Sequence, residues 1–157
     1  MAVSATRARK QSPLAYRRIV VPLVPQAESV KAVSLAAELA ADHGAVITAV
    51  AVIEVPTALP LEAHMLQEEA VAKRTLEEAR AIGAGRGVTV RTEIRRARLA
   101  GEAIVAAAER GRADLVVLNA SRKEGCERRG RIFGKTVDHV LKHAPCRVMV
   151  AAPSPSR

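Results

Sequence analysis

The residues best placed for chemistry lie in one stretch, from Gly130 through Gly134-Lys135-Thr136 to His139 and His143. A glycine lets a ligand approach the backbone, and a helix that follows it aims unpaired N–H groups back at the same spot, which suits an anion. Gly134-Lys135-Thr136 is nevertheless not a phosphate-binding P-loop. That motif needs a glycine five residues before its Gly-Lys pair, and position 129 is Arg; Gly130 is one residue too close. His139 and His143 have the spacing of a zinc-binding helical pair, but Val140 stands where the general-base glutamate would be and no third ligand is evident, so no metal is expected. Arg91, Arg95, Arg96 and Arg98 crowd the end of one strand; the reading is a charge-guarded edge, with an anion site as the alternative. No serine, threonine or cysteine has a convincing base and orienting partner, so no catalytic residue is expected.

The elements that must position these residues alternate regularly. Residues 19–23 form an apolar strand, and Ser29 to His43 an alanine-rich helix closed by Gly44. Residues 45–55 read as a β-branched strand, followed by a proline-bounded loop (Pro56, Pro60) and a helix over 61–82 ended by Gly83, Gly85 and Gly87. Residues 88–94 alternate polar and apolar like an edge strand, 101–110 form a helix, and 113–118 a buried strand. In the last helix Val137, Val140 and Leu141 face inward while Asp138, His139 and Lys142 face out. Pro145 ends it and residues 148–150 begin a final strand. This β-α alternation predicts an α/β fold, a parallel sheet covered by helices on both faces, with its ligand crevice beyond the C-terminal ends of the strands where their order reverses. The loops after the first and fourth strands are the natural walls of that crevice.

The chain has the size of a single domain with a real core. Its aromatic residues are only Tyr16 and Phe133, which argues against stacking on nucleic-acid bases. The net charge of +9 is concentrated in two places. One is the acid-free start, with Arg7, Arg9, Lys10, Arg17 and Arg18. The other is the stretch 122–131, where Arg122, Lys123, Arg128, Arg129 and Arg131 outnumber Glu124 and Glu127. The folded body is nearly neutral, and nonspecific attraction to polyanions is favoured over a dedicated nucleic-acid surface. Cys126 and Cys146 are too few for a disulfide framework; Cys146 reads as a small buried residue and Cys126 as a thiol in a charged loop. No apolar run is long enough to span a membrane, and no signal peptide is evident, so a reduced, cytoplasmic setting is the expectation.

Several segments resemble the universal stress protein family: IVVPL at 19–23, SLAAELAADHGA at 34–45, VITAVAVIEV at 46–55, ADLVVL at 113–118 and, most specifically, VDHVLKHAPCRVMV at 137–150. The closing unit, together with RARLAGEAIV at 96–105, is similar in flavour to stress-protein domains attached to amino-acid permeases and related transporters. The resemblance covers residues 18–152, leaving a basic tail at 1–17 and a short tail at 153–157. It implies a five-stranded parallel sheet of order 3-2-1-4-5 with the Rossmann-like, adenine nucleotide alpha hydrolase-like fold. It also implies a homodimer paired through the last strand, here Arg147, Val148, Met149, Val150 and Ala151.

The nucleotide-binding branch of the family holds ATP with an aspartate after the first strand and a loop of pattern G-x2-G-x9-G-(S/T). Carried over, the aspartate position falls on Val24, the first glycine on Asn119, the second on Arg122 and the last on Gly134. Lys135 then replaces the small hydroxyl residue, Thr136 comes next, and two residues too many separate Arg122 from Gly134. Val52 matches the backbone contact to adenine. A crevice of Pro22, Leu23, Val24, Val52, Asn119, Ser121, Arg122, Gly134, Lys135 and Thr136 is therefore the expected nucleotide site. Val24 cannot replace the aspartate's hydrogen bond, a loss worth ~1–3 kcal/mol, while the cations offer charge to an anionic ligand. Two functions stay open: a dimeric stress-response domain binding ATP, AMP or another adenine nucleotide, and a ligand-free adaptor, one that regulates a transporter, using the basic 122–131 loop. Enzymatic activity, at most slow ATP hydrolysis, has only the family behind it.

Overall fold

The β-branched and alternating stretches form one parallel sheet, and the alanine-rich stretches cover it. The computed structural model describes residues 15–23, 29–119 and 134–151. In chain order these are β1 (Arg18–Leu23), α1 (Ser29–His43), β2 (Val46–Glu54), α2 (Leu66–Gly85) and β3 (Val90–Ala97). They are followed by α3 (Ala100–Arg110), β4 (Leu115–Asn119), α4 (Lys135–His143) and β5 (Arg147–Ala151). The sheet order is β3-β2-β1-β4-β5, as the resemblance implied, with every adjacent pair parallel.

Strand alternation divides the core. Ile19, Val21 and Leu23 pack with Val33, Ala36, Ala40, Ala72 and Leu76 on the face covered by α1 and α2. Val20, Val50, Val116 and Leu118 pack with Ile104, Ala108, Val137 and Val140 on the face covered by α3 and α4. The alanine content of α1 lets its backbone lie close to strands of branched side chains. Asp114 fixes the start of β1: its carboxylate accepts the N–H groups of Arg17 and Arg18 at 2.9 and 3.0 Å.

Several boundaries differ from the sequence expectation. α2 begins at Leu66 rather than at 61, because turns closed by Leu59 N–H to Pro56 O and Ala63 N–H to Pro60 O (both 3.0 Å) occupy the preceding residues. It runs through Gly83 instead of stopping there. Gly83 is buried in the helix, where a Cβ would lie 2.3 Å from Val90 Cγ2, so the glycine lets α2 settle on β3. The chain turns instead at Gly87, whose φ of 70° favours glycine. β3 accordingly starts later and reaches Ala97, and it is an edge strand, as the alternation predicted.

In α4 the wheel is rotated from its expected setting. Val137 and Val140 are buried, but Leu141 is 47% exposed. His139 is half-buried, packed against Gly101 of α3; a Cβ on Gly101 would lie 2.9 Å from the His139 ring, so the glycine makes room for it. Cys146 is half-buried rather than buried. Its thiol is pushed above the ordinary value by burial and by the nearby Asp114 carboxylate. Cys126 lies outside the described residues.

Candidate functional site

The strand order reverses beside β1, because the chain moves outward through β2 and β3 and then returns to place β4 on the other side. In such sheets the crevice at the C-terminal edge takes the ligand. Here the local cause of the crevice is Pro22. The Arg18 carbonyl accepts from Asp114 N–H (2.8 Å) and the Arg17 carbonyl from Val46 N–H (2.9 Å). Even-numbered residues of β1 therefore turn their backbone groups toward β4, and odd-numbered ones toward β2. Proline at an even position deletes a donor that would have continued the ladder to β4. Pairing of β1 with β4 stops at Val20↔Val116, whereas pairing with β2 continues to Leu23↔Ala51. Proline is unusual in a central strand, and in this one it ends the ladder on the side of the switch point.

Val52 is an even-numbered residue, and Val46 shows that the even residues of β2 face β1. The described rungs of the β1–β2 ladder run to Leu23↔Ala51, and the Val52 carbonyl points toward the β1 side at the C-terminal edge of the sheet. Val52 itself is buried, and a small recess beside it is lined by Leu23, Ala51, Ile53, Glu68, Ala72 and Thr75. The lining is mainly apolar, with Glu68 and Thr75 as its polar members.

The opposite wall belongs to β4 and α4. Asn119, half-buried, ends β4 in register with Ala151. Because α4 leads into β5, which runs parallel to β4, its first turn lies at this same edge. Gly134 is the N-cap in an extended conformation, and its carbonyl accepts Asp138 N–H at 3.1 Å. The preceding N–H groups, those of Lys135, Thr136 and Val137, have no intrahelical acceptor, and among the described residues no side chain caps them. Lys135 is exposed and Thr136 half-buried. Asp138, the one acid of this turn, pairs with Lys142 at 3.0 Å. No Cβ contact would arise at Gly134 within 4 Å among the described residues, and its φ of −65° is open to any residue, so glycine here leaves space rather than relieving strain.

Of the other helices that begin at this edge, α2 and α3 each meet a carboxylate of the protein itself. Glu54, at the end of β2, accepts the Ala100 N–H that opens α3 at 2.8 Å. Glu69 lies in the first turn of α2 and pairs with Arg96. Burial works against its charge, but the Arg96 guanidinium, the Met65 N–H and His64 outweigh that and hold its carboxyl below the ordinary value. α4 differs from both: among the described residues no carboxylate meets its first N–H groups, and a lysine stands beside them.

The arginines at the end of β3 are not free for a ligand. Arg95 pairs with Glu93 at 2.8 Å. Arg96 also donates to the Ala63 carbonyl, and Arg98 to the carbonyls of Val55 and Pro56. The pair Arg96 and Arg98 straps the 56–65 loop to the sheet, a role that charge counting did not reveal. The half-buried carboxylate of Glu69 and the loop carbonyls were partners too distant in sequence to be read. His139 and His143 stack, with ring centroids 4.3 Å apart, and among the described residues no cluster of three metal-ligating side chains occurs. No described helix is long and apolar enough to cross a membrane.

Of the residues expected at the site, Pro22, Leu23, Val52, Asn119, Gly134, Lys135 and Thr136 are placed along this one edge by the topology. Val24, Ser121 and Arg122, with the rest of the basic 122–131 loop, lie outside the described residues. Arg147, Val148, Met149, Val150 and Ala151 form β5 at the edge of the sheet, apolar and half-buried apart from Arg147.

Residues 15–152 match the family model described as the universal stress protein family. A universal stress protein of Methanocaldococcus jannaschii is 31% identical over 143 residues, which span 86% of this chain and 81% of that one. Among solved structures, the universal stress protein UspA of Lactobacillus plantarum superposes with a TM-score of 0.69 at 25% identity, over 86% of this chain and 97% of its own. The universal stress protein of Archaeoglobus fulgidus, solved in complex with dAMP, gives 0.66 at 19% identity over 87% and 98%.

Proposed function

This chain belongs to the universal stress protein family, and on that premise we propose that it is a stress-response domain that binds an adenine nucleotide at the C-terminal edge of its sheet. The base lies against Leu23 and the Val52 carbonyl, and the phosphates meet the first turn of α4 and Lys135. The observation that carries the reading is the contrast between helix starts. Glu54 and Glu69 already serve α3 and α2, whereas the Gly134-Lys135-Thr136 turn offers a cation and N–H groups that no described residue accepts. A structural relative of the same fold was solved with dAMP, which supports an adenine nucleotide as the ligand class. Val24, standing where the family's nucleotide-binding branch has aspartate, shifts the balance of affinity from the ribose to the phosphates. The proposal is binding, with no residue assigned to turnover.

Pairing through β5 makes the domain a homodimer. Val148, Met149 and Val150 are only half-buried, and the outer edge of β5 has no neighbouring strand in the sheet. The second reading, a nucleotide-free adaptor, is favoured by Val24, Asn119 and Arg122, which replace three ligand-holding positions of the family pattern. Calorimetric titration with ATP, AMP and a cyclic nucleotide separates the two. Binding that strengthens with phosphate number supports the first, and no heat with any of them at near-millimolar concentration leaves the adaptor.

A further inference from the structure

The free edge of β3 has a feature unconnected with the nucleotide site. Among the described residues β3 pairs only with β2, and its other side carries no strand. The direction of each residue follows from two bonds at its ends: Ile47 N–H donates to Thr89 O at 3.1 Å, and Val55 N–H to Ala97 O at 2.9 Å. Odd-numbered residues of β3 therefore face β2, and Thr92 and Ile94 turn their backbone N–H and C=O groups outward. The same two side chains line a groove of about 260 Å³ whose other wall is α2, through Lys73, Leu76, Glu77 and Arg80. Ile94 is 39% exposed there, an apolar side chain on an open strand edge. Arg80 reaches across to donate to Thr92 Oγ1 at 2.9 Å. Among the described residues neither Lys73 nor Arg80 forms an ion pair, so the groove presents two cations against one acid, Glu77.

We propose that this groove is a docking site for an extended, acidic peptide segment of a partner protein, which adds to β3 as a sixth strand. The outward backbone groups of Thr92 and Ile94 supply the ladder. Alternate side chains of the peptide enter the groove, apolar ones against Leu76 and Ile94 and a carboxylate between Lys73 and Arg80. The charge pattern sets the choice of partner: a strand carrying lysines at those positions meets like charges, whereas a strand carrying glutamates is drawn in. It also keeps uncharged edges of other chains from pairing here.

The test uses the full chain and two short synthetic peptides matched to the length of β3, with threonine at every second position and, at the same-face positions between, valine and glutamate in one peptide and valine and lysine in the other. Amide chemical shifts locate binding, and fluorescence anisotropy measures it. The expected result is that the glutamate peptide shifts the amides of Thr92 and Ile94 and binds at least about tenfold more tightly than the lysine peptide. In the double variant Lys73→Glu, Arg80→Glu, at exposed positions of α2, that preference reverses. Ile94→Pro removes an outward N–H without breaking a bond to β2, and it abolishes binding of the glutamate peptide. Lys135→Glu, in the nucleotide site, leaves peptide binding unchanged. Equal binding of the two peptides, shifts confined to other surfaces, or self-association of the chain through β3 in place of peptide binding overturns the proposal. Should Ile94→Pro fail to fold, the charge-reversed double variant decides alone.

Discussion

Replacing Pro22 by alanine tests whether one missing N–H opens the ligand crevice. The new amide points toward β4, because even residues of β1 face that strand. A backbone bond formed there contributes about 0.5–1.5 kcal/mol. Against it stand two terms. Removing proline frees the unfolded chain by about 0.4–1 kcal/mol, and two buried ring methylenes are lost, at about 0.8 kcal/mol each. The net is a destabilisation of about 1 kcal/mol, well within what the fold tolerates. The effect on the site is larger in kind than in energy: the β1–β4 ladder extends past Val20↔Val116, and the gap beside Leu23 narrows. Hydrogen exchange should show the amide of the introduced alanine protected to the level of Val20. Nucleotide affinity measured by calorimetry should fall, while urea denaturation reports the modest stability loss. An unprotected amide together with unchanged nucleotide affinity would refute the idea that proline shapes the crevice.

Lys135→Glu places a like charge beside the phosphates; a charge-assisted bond of about 1.5–3 kcal/mol is lost, so calorimetry should register a weakening of at least about tenfold. Gly83→Ala drives a Cβ to 2.3 Å from Val90 Cγ2 and 3.0 Å from the Val88 carbonyl. Urea denaturation should show a loss of about 1–3 kcal/mol from overpacking, despite alanine's better helix propensity. Glu69, held below its ordinary value of 4.5, adds stability that is fully present above that pH and is lost as pH falls through the lowered folded value. Denaturation across pH 7 to 3 should thus show a flatter acid limb for Glu69→Gln than for the parent, and identical limbs would count against the Arg96 strap. Light scattering should give a dimer that Met149→Asp converts to a monomer, with unchanged circular dichroism.

Much of this molecule could be read without coordinates because its signals are local. The alternation of β-branched runs with alanine-rich helices needs only neighbouring residues, and α1 lies where its periodicity and Gly44 place it. The errors arose where a distant residue decides. Leu141 lies outside and His139 inside because Gly101, on another helix, leaves space for an imidazole and none of that geometry is encoded in the spacing of α4. The helix expected from 61 starts at Leu66 because turns and two arginines from β3 hold the loop before it. A cluster of arginines looked alike in one dimension, and their carbonyl and carboxylate partners made them structural.

By itself the sequence determined the fold class, the strand periodicity, the concentration of charge and the resemblance to universal stress proteins, since each depends on residue type and short spacing. The tertiary structure alone decided which helix starts meet an internal carboxylate. Glu54 and Ala100 are far apart in the chain, as are Glu69 and Arg96, and only the packing of α3 and β3 against the ends of neighbouring strands brings each carboxylate to its partner. The turn at Gly134-Lys135-Thr136 meets no such partner among the described residues and lies at the edge beside the gap that Pro22 makes.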